Sequence, residues 1–266
     1  MAKKRATRRV SSPQKKVRKK VTRSDKNLSP FSLVLYGPSG IGKSSTIAQF
    51  PDTRFILEPE ELGVKILAER GLIPEPAEIC IVETWDELLT EIHNTEDVSN
   101  LCLEAITGIE QLGFRWECDE HFGGDMSKHG FFNYQQGPKN FAKFTWPKLL
   151  RALDKVMSRG INVALTGHSR VRPTKNPSGH DYDSHQVYCD VETWQNTKRW
   201  AQVVGFFGLH VDVNAEKKVL ESDRVIQFDA APYYDAKNWI GLNSPMIAEG
   251  EPVDVGKELY RQLIGE

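Results

Sequence analysis

Apolar positions along the chain fall into two rhythms. Phe31-Ser32-Leu33-Val34-Leu35-Tyr36, Arg54-Phe55-Ile56-Leu57, Ile79-Cys80-Ile81-Val82, Leu101-Cys102-Leu103 and Ile161-Asn162-Val163-Ala164-Leu165 are short, nearly continuous apolar runs. Such runs mark strands covered on both faces. Between them lie stretches that read as helices. Thr84 and Glu87 form a capping box that opens a helix towards Asn94. Thr145 precedes Trp146-Pro147, where proline suits a first helical turn, and this helix runs to Arg159 and closes at Gly160. The alternation predicts an α/β fold with a doubly wound, mainly parallel sheet and a ligand at the carboxyl ends of its strands. After about residue 200 the pattern changes. Residues 203–213 and 224–228 predict a β-hairpin, a C-terminal β extension of the sheet, and residues 253–264 a short final helix. No internal repeat is visible.

Composition adds scale. With 266 residues, 39% of them apolar, and with six Trp and twelve Phe, the chain can hold one large α/β core plus an appendage. No apolar run approaches the roughly 18 residues of a membrane span, and the basic N-terminus lacks the apolar stretch of a signal peptide. The expectation is a soluble, intracellular (cytoplasmic) protein with no membrane partner. Cys80, Cys102, Cys118 and Cys189 are widely spaced, two of them inside strand-like runs, which favours buried thiols in a reducing compartment.

Charge is unevenly spread although the net charge is only −1. Residues 1–27 hold twelve Lys/Arg and one acid, Asp25, with almost no large apolar side chains. Such a segment cannot bury enough surface to fold alone and reads as a disordered basic tail. The remaining domain, residues 28–266, keeps 23 basic and 35 acidic residues, a charge of −12. A polycation tethered to an acidic body suits capture of phosphate backbones; a solubilising tail, a partner for the body's own acids and a localisation signal are equally open.

The strongest local pattern lies between the first strand and the helical stretch at residues 43–50. Gly37-Pro38-Ser39-Gly40-Ile41-Gly42-Lys43-Ser44 fits G-x-x-x-x-G-K-[ST], with Ser45 following. Strand, Gly-rich turn and helix are the context in which this pattern cradles a polyphosphate. Glycines let backbone N–H groups converge on the anion, Lys43 would reach the β/γ-phosphates and Ser44 would ligate Mg²⁺. ATP and Mg²⁺ are the expected ligands.

Other polar residues fall at strand ends. Glu104 follows Leu101-Cys102-Leu103, where a Walker B acid would orient Mg²⁺; a solvated strand end is the other reading. Glu58, Glu60 and Glu61 follow Leu57, and Glu60 is the candidate base for the attacking water. His168 ends the run that begins at Ile161 and is placed to sense the γ-phosphate. Residues 170–188 carry Arg170, Arg172, Lys175, His180 and His185 among Tyr182 and Tyr188, with Pro173, Pro177 and Gly179 loosening them. A mobile loop with cations for phosphates and aromatic faces for bases fits single-stranded DNA, while Asp181, Asp183 and Asp190 favour an ordinary surface loop. Cys118, Asp119, His121, Asp125 and His129 match no established zinc spacing.

Taken in order, several pieces resemble the phage- and prophage-encoded AAA-type ATP-binding proteins with a RecA-like P-loop core. They are the run from Leu35 to Ser44, the Glu60-Glu61 turn, Leu103-Glu104-Ala105-Ile106-Thr107-Gly108-Ile109-Glu110, Leu165-Thr166-Gly167-His168, and Asp235-Ala236-Lys237-Asn238-Trp239-Ile240-Gly241. The resemblance implies a RecA-like NTPase in a bacterial or phage-infected cell. It also implies a homo-oligomer in which Lys237 meets the nucleotide of a neighbouring subunit. Two departures, Glu104-Ala105 for the usual Asp-Ser or Asp-Thr and Trp239 where arginine is common, bear on hydrolysis and leave ATP binding intact. An ATPase acting on DNA, a low-turnover regulatory or assembly module and a P-loop kinase therefore compete. The kinase lacks an Arg-rich lid sequence, and a GTPase would need an Asn-Lys-x-Asp motif.

Overall fold

The computed structural model describes residues 28–213, 219–248 and 252–266, with the side chains at 212–221 and 249–253 also left undescribed. The basic tail expected at residues 1–27 lies outside the described residues. In chain order the core elements are β1 (Ser32–Gly37), α1 (Lys43–Ile47), β2 (Thr53–Leu57), α2 (Gly63–Glu69), β3 (Glu78–Ile81), α3 (Trp85–His93), β4 (Asn100–Glu104) and α4 (Ile106–Phe122). They are followed by α5 (Gln136–Asn140), a π-turn over Phe141–Thr145, α6 (Trp146–Ser158), β5 (Asn162–Thr174), β6 (Tyr182–Val187) and α7 (Val191–Trp200). The chain ends with β7 (Val203–Val213), β8 (Val219–Gln227), β9 (Lys237–Asn238), β10 (Met246–Ala248) and α8 (Pro252–Leu263).

One mixed sheet runs β10-β8-β7-β1-β5-β4-β2-β3. From β7 to β3 every neighbouring pair is parallel, and the antiparallel members are β8, β9 and β10 beside β7 together with β6 beside β5. The doubly wound, mainly parallel sheet and the hairpin of β7 with β8 match the apolar rhythm. Side-chain alternation divides the core: Val34 and Tyr36 of β1 join α3, α4, α6 and α7 on one face, while Leu33 and Leu35 join α1 and α8 on the other. Two details of helix capping also follow the sequence. The N–H of Glu87 donates to Thr84 Oγ1 and that of Thr84 to Glu87 Oε2, each at 3.2 Å, and Gly160, with φ 94°, ends α6 in a backbone region that favours glycine.

Register fixes where the chemistry gathers. In the β1–β5 pair Gly37 lies opposite His168, and in the β2–β4 pair Leu57 lies opposite Glu104. Strand β5 separates β1 from β4. The Gly-rich turn, the acid that ends β4 and the residues after β2 therefore meet at the carboxyl ends of neighbouring strands.

One expectation needs correcting. Residues 170–188 do not form a mobile loop: β5 continues to Thr174 and pairs antiparallel with β6, from Ser169 opposite Val187 to Thr174 opposite Tyr182. Lys175 pairs with Asp181 at 2.6 Å across the tip, and Thr174 and Ser184 hydroxyls meet at 2.7 Å. Pro173 is tolerated because β5 has by then left β1 and β4 and is paired on one side only. The ligand-type residues between Cys118 and His129 gather into no metal-like group among the described residues. Cys118 is buried, and Asp125 Oδ1 accepts the N–H of Ser127 at 2.9 Å. All four cysteines are free thiols. No helix among the described residues is long and apolar enough to cross a membrane.

Candidate nucleotide site

The turn after β1 begins at Gly37, whose missing Cβ leaves room for the Phe207 carbonyl of β7. Gly40 and Gly42 then adopt φ 76° and 114°. A side chain at either would be strained, so the glycines are required by the path of the loop. Ile41 turns under it into the core, and α1 starts at Lys43.

Lys43 is buried, and its ammonium donates to the carbonyls of Gly37 at 3.0 Å and Pro38 at 2.9 Å. Two of its three donors are thus used in shaping the loop and one remains. Burial lowers its pKa to about 8, against the pull of Glu104 and Glu61. Ser44 Oγ donates to Glu104 Oε1. That contact unites the two residues expected to hold Mg²⁺. Glu104 is 4% exposed, and burial pushes its pKa up to about 7, with the Ser44 hydrogen bond opposing, nearby Glu61 adding to the rise, and Lys43 and His168 opposing. On β5, His168 Nε2 meets Glu61 Oε1.

These groups line a cavity of about 400 Å³, with Ser39, Gly40, Gly42 and Ser45 on the loop side, Thr166 and His168 on β5, and Ile66 and Leu67 of α2 along one wall. Glu104 Oε2 and Thr166 Oγ1 are buried there without a hydrogen-bond partner. A hard divalent cation takes oxygen ligands, and a hydroxyl in contact with a carboxylate whose second oxygen is orphaned is a donor set that fits Mg²⁺. Ser44 and Glu104 are the residues that would hold it.

The three acids after β2 part company. Glu58 is buried against α4, where Gly108 lacks the Cβ that would collide with it. Its carboxylate accepts the N–H of Glu60 at 3.1 Å, and its carbonyl accepts that of Glu61 at 3.1 Å. This tight turn leaves Glu60 exposed and brings Glu61 into the cavity, so the structure places Glu61, rather than Glu60, beside the loop. Lys237 is also outside the cavity. Its ammonium donates to the carbonyls of Lys198 at 3.0 Å, Arg199 at 3.1 Å and Ala201, and lies 3.4 Å from the centroid of the Trp239 ring. Within this chain it closes the C-terminus of α7, where a cation meets the helix dipole.

Residues 29–239 match the family described as AAA domain. The chain belongs to the AAA domain family. Its mainly parallel sheet with a Gly-rich loop after the first strand fits a P-loop core, and the family supports nucleotide binding. Among solved structures this AAA domain is similar to the flagellar accessory protein FlaH of Methanocaldococcus jannaschii, at 7% identity and a TM-score of 0.45, over 82% of this chain and 84% of that one. No curated protein matches it.

Two residues near the site have no role assigned from sequence. Glu110 of α4 is buried, accepts the N–H of Asp190 on both oxygens at 2.9 and 3.0 Å, and is pushed up to about 7 by burial. Tyr36 lies on β1 just before the loop, and its hydroxyl donates to the Asp235 carbonyl and accepts the Asp235 N–H, both at 2.8 Å. The late segment that carries Lys237 is thereby tied to the P-loop strand.

Proposed function

We propose that this AAA domain binds Mg-ATP and hydrolyses it, with Glu61 as the base, and that it works on DNA as an oligomer. The observation that carries the reading is the convergence of Lys43, the Ser44–Glu104 pair and the Glu61–His168 pair in one cavity. Bound Mg²⁺ would neutralise charge on the β- and γ-phosphates. Loop N–H groups and the remaining donor of Lys43 would hold the phosphate oxygens, Ser44 and Glu104 would hold the metal, and Glu61 would take a proton from the attacking water. His168, on the strand beside Gly37, holds the Glu61 carboxylate in place. Support for DNA comes from the twelve cations of residues 1–27 and from Tyr188, exposed beneath the Arg170 guanidinium at 4.7 Å. The oligomer rests on the resemblance in which Lys237 reaches a neighbour.

A low-turnover regulatory module is the second reading, favoured by the engagement of Glu61 by His168. ATP hydrolysis measured with and without single- and double-stranded DNA separates the two. Stimulation by DNA supports the first reading. Tight ATP binding with no hydrolysis under any condition replaces it with the second.

A further inference from the structure

Acidic residues outnumber basic ones by 35 to 23 in residues 28–266, yet residues 126–180 carry ten Lys/Arg and one acid, Asp154. Three of these cations lie on α6 and a fourth, Arg159, caps its C-terminus. At 100° per residue Lys148, Arg151, Lys155 and Arg159 fall within one narrow stripe of this helix, and Asp154 lies to its side. All four cations are exposed. None forms an ion pair with a carboxylate among the described residues. Asp154, the acid within reach, accepts instead from the Trp200 indole at 2.7 Å. Lys148 stands over the Trp116 ring at 5.2 Å, and Arg159 donates to the His93 carbonyl at 3.0 Å, so the stripe is anchored at both ends with its charge facing water. Beside it runs a groove of about 340 Å³ between α3 and α6, edged by Leu89, His93, Lys148, Lys155 and Arg159.

We infer that this stripe on α6 is a docking surface for the phosphate backbone of duplex DNA. The inference rests on the DNA reading above and adds a second contact surface, separate from the tail and from the β5–β6 hairpin. From Lys148 to Arg159 the stripe extends roughly 17 Å at 1.5 Å per residue. A duplex presents one negative charge about every 1.7 Å of its axis, without interruption, so a row of cations with no acid among them fits it at every position. The acidic surface of a second copy is a poorer match. Outside residues 126–180 the body mixes 13 basic residues with 34 acids, so the opposite charge a second copy offers is interrupted by cations where that of a duplex is not.

The test is the full chain carrying Lys148→Gln, Arg151→Gln and Lys155→Gln together, with a charge-conserving triple variant (Lys148→Arg, Arg151→Lys, Lys155→Arg) beside it. Binding to a short random-sequence duplex is followed by fluorescence anisotropy across a salt series, and folding is checked by the thermal midpoint. Loss of three phosphate contacts lowers the slope of log affinity against log salt by about 2.7 and weakens binding on the order of 10²-fold near 0.1 M salt. The charge-conserving variant keeps the parental slope. If the parent binds duplex and the neutral variant keeps the same slope, the stripe inference is overturned and the DNA reading stands. If the parent binds no DNA at low salt, the DNA reading itself fails and takes the stripe with it. A fall in sedimentation mass of the neutral variant, with an unchanged DNA slope, makes α6 a contact between copies and overturns the inference as well.

Discussion

Holding Mg²⁺ through Glu104 requires that carboxyl to be ionised, and burial keeps its pKa at about 7. The pKa is raised on folding, so the folded state holds this proton to higher pH than the unfolded chain does. Its contribution to stability is therefore complete below the ordinary value of 4.5 and lost as pH rises through about 7. Metal binding has the opposite demand. Below about pH 7 each unit costs about 1.4 kcal/mol, a factor of ten, because the proton must first be displaced. Near pH 5.5 Mg-ATP should thus bind roughly 30-fold more weakly than at its optimum. On the basic side Lys43 loses its charge through about 8, and phosphate oxygens beside it would move that limb higher.

Fluorescent-nucleotide titration between about pH 5.5 and pH 9, with Mg²⁺ in excess, reads both limbs. Glu104→Gln is the control, because it keeps the shape of the side chain and removes the titrating group. It should bind Mg-ATP more weakly at neutral pH and lose most of the acid limb, leaving only the slope that ATP contributes through its own phosphates. Identical pH profiles for the parent and Glu104→Gln would show that Glu104 does not ligate the metal, and the Ser44–Glu104 contact would then be a hydrogen bond with no part in metal binding.

Glu61→Gln should keep ATP binding within a few fold and abolish steady-state hydrolysis, whereas Glu60→Gln, on an exposed side chain, should leave the rate near the parental value; the reverse result returns the base to Glu60. Lys237→Ala removes a cation from three carbonyls at the end of α7 and should lower unfolding free energy by about 1.5–3 kcal/mol in urea melts. ATP hydrolysis lost from a variant of undiminished stability would instead point to contact with a neighbouring subunit. Tyr188→Ala should weaken single-strand binding by roughly 1–3 kcal/mol if a base stacks there. Tyr182→Ala should not, since that ring already packs edge-on against Tyr233 at 6.1 Å; equal losses in both would refute the assignment.

What the sequence disclosed depends on how local each determinant is. The strands were legible because Leu33 to Leu35, Phe55 to Leu57 and Leu101 to Leu103 are buried on both faces, which forces apolar residues at successive positions. The P-loop was legible for a similar reason, since the close approach of Phe207 and the positive φ values at Gly40 and Gly42 each exclude a side chain. Past His168 the burial ends. Arg170, Arg172 and Thr174 are half-buried and polar, so β5 carries no apolar alternation there, and only its pairing with β6, a tertiary fact, makes it a strand.

Where each candidate side chain lies follows the same principle. Glu60 and Glu61 are adjacent and chemically alike, and the choice between them belongs to a turn whose shape is set by Glu58 accepting a backbone N–H while wedged against Gly108 of α4. No single-residue propensity encodes that. For Lys237 the resemblance implies the nucleotide of a neighbouring subunit, while within the chain its acceptors lie 36 to 39 residues earlier, at the end of a helix that no apolar run or capping pattern marks in the sequence. His168 shows the converse case. As a polar residue closing an apolar run it could be placed at the carboxyl end of its strand from sequence, and the parallel register with Gly37 then brings it to Glu61. Strand ends are thus where sequence reasoning about this site is strongest, and the turns that leave them are where the structure has to decide.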